Sequence, residues 1–161
     1  MIPDFRSARI SRTSVIILNA SLKKVFPLFG PIKEKEWAAG WEPQVIYATT
    51  DQEEHMVFKT RSHHGQEPDS TWTVSNYRPD QAFIEYTVFA PERIWWITIE
   101  CSEGKAEETT EAKITYTYTG LTESGNVMNE KALATMYRHD LKDWEAAINH
   151  YLETGKRLEH D

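Results

Sequence analysis

Asp140 sits at helical spacing between Tyr137 and Trp144. A carboxyl held against such rings loses water, which raises its pKa and suits it to act as a general acid or base. It is the candidate catalytic residue of this chain; the alternative is a solvated carboxylate at the border of an apolar stripe. His63 and His64, with Glu67 and Asp69 close behind, offer the imidazole and carboxylate donors that zinc accepts. Adjacent residues of an extended chain point to opposite faces, so the two imidazoles are poorly placed to share one ion. The segment therefore reads as a solvated hairpin loop, and no metal is expected. His55, His139, His150 and His160 are scattered, without the spacing of a helical metal pair. Cys101 is the only cysteine, which excludes an intrachain disulfide and a multi-cysteine zinc site. At mid-strand it reads as a small buried apolar residue. There is no glycine-rich phosphate loop, no G-x-S-x-G elbow and no H-E-x-x-H helix, so no cofactor is expected.

The richest signal is aromatic: six Trp, seven Tyr and six Phe. Rigid rings line cavities for flat or greasy ligands, and Tyr OH and Trp NH groups orient what binds there. The same rings can simply fill a core, so the question becomes which elements carry them. Residues 10–18 are rich in β-branched side chains and read as a first strand. Ser21 is a suitable helix N-cap, and Val25, Phe26, Leu28 and Phe29 recur at helical spacing until Gly30 and Pro31. Residues 32–39 read as a second short helix ended by Gly40. Six β-rich runs follow at 44–50, 55–61, 70–77, 82–90, 93–101 and 110–121. Their connections are too short for parallel crossovers, so an antiparallel meander is predicted. Beyond Gly125 the period changes to 3.6: Leu133, Tyr137, Leu141, Trp144, Ile148, Tyr151 and Leu152 form one stripe. One helix of roughly 27 residues and about 40 Å is predicted, with Gly155 as its C-cap.

A seven-stranded meander and one long amphipathic helix must bury one sheet face against that helix, so the sheet curls around it. Alternation turns Met56, Phe58 and Thr60 inward, with Trp72 and Val74, then Ile84, Tyr86 and Val88, then Ile114, Tyr116 and Tyr118. The run 93–101 is ambiguous: Trp95, Ile97 and Ile99 make one face, and Ile94, Trp96 and Thr98 another nearly as apolar. Arg61 and Glu85 fall on outward positions. The ligand-pocket candidates are Trp37, Trp41, Phe58, Trp72, Tyr86, Tyr116, Tyr118, Met136, Tyr137 and Trp144.

This order resembles the START-like superfamily, also called SRPBCC or Bet v 1-like, and especially its polyketide cyclase/dehydrase-type bacterial members. The residues that carry the likeness begin with Ser21-Leu22-Lys23-Lys24-Val25-Phe26-Pro27-Leu28-Phe29, which is similar to the family's first helix. Glu36-Trp37 with Gly40-Trp41-Glu42-Pro43 resembles its helix-to-strand junction. Ser70-Thr71-Trp72-Thr73-Val74, Tyr77-Arg78-Pro79 and Thr115-Tyr116-Thr117-Tyr118-Thr119-Gly120-Leu121, leading to Gly125-Asn126, extend it over nearly the whole chain. The resemblance implies an α+β helix-grip fold with a cavity between sheet and long helix, and places Trp37 and Trp41 near its mouth. It supplies no invariant catalytic motif.

Composition narrows the partners. The net charge is −7; residues 1–40 hold seven Lys and Arg against three Asp and Glu, and residues 41–121 hold six against fourteen. The sheet region thus has the wrong sign for a phosphate backbone, and nucleic acid is not an expected partner. Uninterrupted apolar runs reach only four residues, as at 15–18, far short of the roughly 18 that span a bilayer. No secretory signal is visible at the start of the sequence. The expectation is one cytoplasmic domain over residues 1–161, with a core at about 8–155, able to form a homodimer. Its expected role is binding, with possible transport, of an apolar small molecule such as a lipid. Cyclisation or dehydration of a bound polyketide-like substrate is the alternative, and an Hsp90-activator-like interaction module a third.

Overall fold

A computed structural model describes residues 4–62 and 67–159. Seven strands form one antiparallel sheet: β1 (Arg9–Leu18), β2 (Gln44–Tyr47), β3 (Val57–Thr60), β4 (Ser70–Arg78), β5 (Phe83–Phe89), β6 (Arg93–Glu103) and β7 (Thr110–Gly120). Their order is β1-β7-β6-β5-β4-β3-β2. It is the predicted meander, with the first strand added at the far edge against β7. Between β1 and β2 lie a one-turn helix, α1 (Leu22–Val25), and 3-10 turns at Phe26–Phe29 and Lys33–Glu36. The two short helices expected here are thus tighter and shorter than their apolar spacing implied.

Burial follows the period-two alternation. On β7 Ala112, Ile114, Tyr116 and Tyr118 are buried, while Lys113, Thr115, Thr117 and Thr119 are not. On β6 the buried face is Arg93, Trp95, Ile97 and Ile99, which resolves the ambiguous strand. Register then aligns the inward residues in rows. Phe58 pairs with Trp72, Trp72 with Val88, Val88 with Trp95, and Trp95 with Tyr118. A second row runs from Val74 through Tyr86 and Ile97 to Tyr116. These rows form the floor on which the C-terminal helices rest.

The C-terminal arm departs from the predicted single helix. It comprises α2 (Glu123–Met136) and α3 (Lys142–Thr154), separated by a turn in which Asp140 and Leu141 adopt left-handed φ of 51° and 60°. No glycine or proline marks the break. The strain of two left-handed non-glycine residues is offset by burial: Leu141 is fully enclosed and Tyr137 is 1% exposed. The Tyr137 hydroxyl donates towards the carbonyl oxygens of Arg12 (3.0 Å) and Ile114 (3.3 Å). An unbroken helix would carry these anchors along a straight line, whereas the sheet curves.

The start of α2 and the outer edge of β1 are satisfied by side chains. Thr122 caps α2 by accepting from the Gly125 N–H at 2.9 Å. A Cβ on Gly125 would come within 1.9 Å of the Glu92 carbonyl oxygen, so α2 approaches the β5–β6 turn only because that residue is glycine. The outer edge of β1 is covered: Asn149 accepts from Asn19 N–H (2.8 Å) and donates to Ile17 O (3.1 Å), and Glu145 accepts from Ile17 N–H (2.8 Å). Edge backbone groups that would otherwise recruit a foreign strand are thereby occupied.

Candidate functional site

Two cavity lobes of 300 and 470 Å³ lie between the sheet and the helical arm, and both touch Gly40, Trp41, Trp72 and Tyr116. Each falls within the roughly 300–1,000 Å³ range of small-molecule sites. Trp37 and Trp41 arrive on the segment after the second 3-10 turn. Both are fixed by donating indole N–H groups to backbone carbonyls, Trp37 to Leu28 and Trp41 to Pro31, each at 2.7 Å. Trp41 then meets Trp72 edge to face with centroids 5.4 Å apart, and Trp72 meets Tyr86 at 5.7 Å. The smaller lobe is closed by Trp144 of α3, 5.7 Å from Trp37 and 6.3 Å from Tyr116. The larger lobe is bounded by Trp95, Tyr118 and, from α2, Met136. Such offset and edge contacts hold the rings in fixed orientations.

Eight of the ten pocket candidates line these lobes: Trp37, Trp41, Trp72, Tyr86, Tyr116, Tyr118, Met136 and Trp144. Phe58 and Tyr137 do not. Phe58 stacks behind Trp72 at 5.4 Å, and Tyr137 stands edge-on behind Tyr116 at 6.1 Å, so both hold the lining in place. Asp140 is also corrected. It lies outside the cavity in the inter-helix turn, where its exposed carboxylate accepts from Arg12 at 3.1 Å. An exposed pair of this kind contributes about 0–1 kcal/mol, and Asp140 lines neither lobe.

The smaller lobe is lined by two acids, Asp143 of α3 and Glu34, which the sequence reading passed over. Glu34 stands on the 3-10 turn Lys33–Glu36 and lines the smaller lobe with Tyr86 and Tyr116. Burial pushes its pKa well above the ordinary 4.5. Both tyrosines are raised too, mainly by burial and further by the Glu34 charge. The Tyr86 hydroxyl donates to Phe29 O at 2.6 Å, which ties the sheet floor to the loop that carries Glu34. No local signal marks Glu34, because Lys33-Glu34-Lys35-Glu36 reads as a solvated charged turn. Its raised pKa has a measurable sign. Above pH 4.5 the native state holds a proton that the unfolded chain releases, so stability falls as pH rises towards the native pKa. Glu34→Gln should remove that fall, measured as thermal midpoints between about pH 5 and 8. Parallel profiles for the two proteins would show that the carboxyl titrates normally.

A second polar group enters the larger lobe from β6. Arg93 forks onto Glu67, Nε to Oε1 at 3.0 Å and Nη2 to Oε2 at 2.9 Å. Its guanidinium lies 4.6 Å from the Trp95 ring centroid and 5.7 Å from that of Tyr118. Burial raises the Tyr118 pKa, and Arg93 partly counters it. Glu67 thus pairs with arginine. His63 and His64 lie outside the described residues, and among those described no group of three His, Cys, Asp or Glu is placed to hold an ion. Arg93 was legible in principle, since it shares the alternating face of Trp95, Ile97 and Ile99. Burial pushes the Cys101 thiol up to about 12, and Cys101 lines neither lobe.

No family model matches the sequence, and no curated protein resembles it in sequence. Solved structures do resemble it in shape. Truncated norcoclaurine synthase from Thalictrum flavum matches with a TM-score of 0.68 at 12% identity, over 99% of this chain and 100% of that one. A conserved protein from Geobacillus kaustophilus matches at 0.64 with 14% identity, over 94% and 100%. A Rhizobium loti protein matches at 0.58 with 16% identity, over 89% and 99%. Among the described residues no helix is long and apolar enough to cross a membrane. With its sheet closed around a C-terminal helical arm and short helices after the first strand, the chain has the Bet v 1-like helix-grip fold.

Proposed function

We propose that this protein binds a hydrophobic, ring-bearing small molecule in the cavity between its sheet and C-terminal helices. The observation that carries this reading is the pair of open lobes that share Trp41, Trp72 and Tyr116 in their linings. A domain serving only as a protein-docking module would have no use for such a volume, which side chains could fill at a gain in packing. An apolar fluorescent probe should bind at one saturable site and quench or shift tryptophan emission. Trp72→Ala or Tyr116→Ala should change its affinity by more than tenfold, about 1.4 kcal/mol. Thr117→Ala, on the outer face, should leave it within about twofold. Equal affinities for all three folded variants would remove the cavity from consideration as the binding site.

A catalytic reading is favoured by Glu34. A carboxyl that keeps its proton above the ordinary range, inside an aromatic lobe, is a suitable general acid for cyclising or dehydrating a bound substrate of polyketide or aromatic type. Norcoclaurine synthase, which shares the fold, has been solved with dopamine and hydroxybenzaldehyde. If this chain is an enzyme, Glu34→Gln should retain ligand and lose turnover; in a carrier the same variant should simply bind.

A further inference from the structure

The two lobes differ in charge. Arg61 and Arg93 border the larger one, whereas among the described residues no Lys, Arg or His borders the smaller, which has the acids Glu34 and Asp143. Neither acid has an ion pair or a side-chain hydrogen bond among the described residues. The lysines beside them are taken, Lys33 by Glu36 at 3.6 Å and Lys142 by Glu145 at 3.1 Å. The Tyr116 hydroxyl, on a residue only 5% exposed, is unpartnered too. Among the described residues the sealed polar side-chain atoms without partners belong to Gln52, Arg93 and Asn129. The Glu34 carboxyl and the Tyr116 hydroxyl therefore open onto the lobe they line. We propose that the smaller lobe receives the ammonium group of an organic cation, with Glu34 as its counter-charge and indole rings as its walls. The inference rests on the cavity-binding reading and adds the chemical class of the ligand.

Charge and walls select that class. The Glu34 charge is felt by both Tyr86 and Tyr116, which places its carboxyl over the sheet floor. Burial alone favours its protonated form; a cation beside it favours the ionised form, so the counter-charge develops as the ligand enters. Asp143, exposed on the first turn of α3, adds a second negative charge at the rim. The walls are Trp37, Trp41, Trp72 and Trp144. Trp37 meets Trp144 at 61° and Trp41 meets Trp72 at 78°, so the rings stand at steep angles like the sides of a box. Attraction between a cation and an aromatic face is strongest for indole and grows as water is excluded. A metal ion would ask for more oxygen ligands than this lobe offers, whereas an ammonium on a carbon body meets the rings directly. The Tyr116 oxygen can accept an N–H where the ammonium carries one. An anion would find two acids here and no cation.

The test compares three probes on the full chain at about pH 8, where a proton competes least for Glu34: phenyltrimethylammonium, its neutral isostere tert-butylbenzene, and the anion 4-tert-butylbenzoate. Binding is followed by tryptophan emission and by ligand NMR. The cation should bind about tenfold or more tightly than tert-butylbenzene, and the anion more weakly than the cation. Glu34→Gln should remove most of the cation's advantage while tert-butylbenzene affinity stays within about twofold. Trp144→Leu, which alters a wall of the smaller lobe alone, should weaken the cation by about fivefold or more. Thr117→Ala, on the outer face, should leave it unchanged. The comparison of isosteres needs only the wild-type chain, so it decides the matter even where a variant fails to fold. Equal binding of cation and isostere would overturn the ammonium class and leave the cavity reading standing, as would a cation advantage that persists in folded Glu34→Gln. Failure of all three probes to bind would overturn both, and a preference for the anion would overturn the ammonium class.

Discussion

Glu67→Ala should destabilise the fold by about 3–5 kcal/mol, because it leaves the Arg93 guanidinium buried without its counter-charge. Both side chains are nearly inaccessible, at 4% and 5% exposure, so water cannot replace the carboxylate without opening the larger lobe. For a domain of this length the loss corresponds to a melting temperature lower by roughly 10 °C. The double variant Arg93→Met/Glu67→Leu should recover most of the loss, since removing both charges together leaves no uncompensated ion. Chemical denaturation of wild type, Glu67→Ala and the double variant checks this. A Glu67→Ala chain within about 1 kcal/mol of wild type would mean that Arg93 reaches solvent in solution, and the enclosed polar end of the cavity would then not exist.

Removal of residues 123–161 should abolish the cooperative thermal transition. The helical arm covers the inner face with Leu133, Tyr137, Leu141, Ala147 and Ile148, all buried, and with Trp144 against Tyr116. Each large apolar side chain returned to water forfeits about 1.5–3 kcal/mol. A handful of them is as large as the roughly 5–15 kcal/mol that separates a folded domain from its unfolded chain. The arm also covers the β1 edge through Glu145 and Asn149, so the shortened chain should aggregate through that strand. A sharp, reversible melt of the truncated chain would show that the sheet stands without the arm and that the cavity has a dispensable wall.

Local periodicity and short connections determined the strands, the meander from β2 to β7 and the inward faces of β3, β4, β5 and β7, whereas the face of β6 and the place of β1 were decided by the folded sheet. A strand's faces are set by a two-residue repeat that no distant contact can shift without turning every side chain over, and so Ile114, Tyr116 and Tyr118 separate from Thr115, Thr117 and Thr119 before any tertiary information. The aromatic wall follows from that alternation, because rings on adjacent inward rows have only each other and the helices to meet. Tertiary structure decided what alternation does not encode. The break at Asp140 and Leu141 has no glycine or proline to announce it, and it arises where a continuous apolar stripe must follow a curved sheet; the same break carries Asp140 out to Arg12. Glu34 sits in a charged tetrapeptide that looks solvated until the first loop folds over Tyr86. Glu67 finds Arg93 26 residues away in a chain that offers fourteen acids between residues 41 and 121. Partner choice among so many like charges depends on which two become enclosed together, and enclosure is a property of the folded chain and not of either residue's neighbours in sequence.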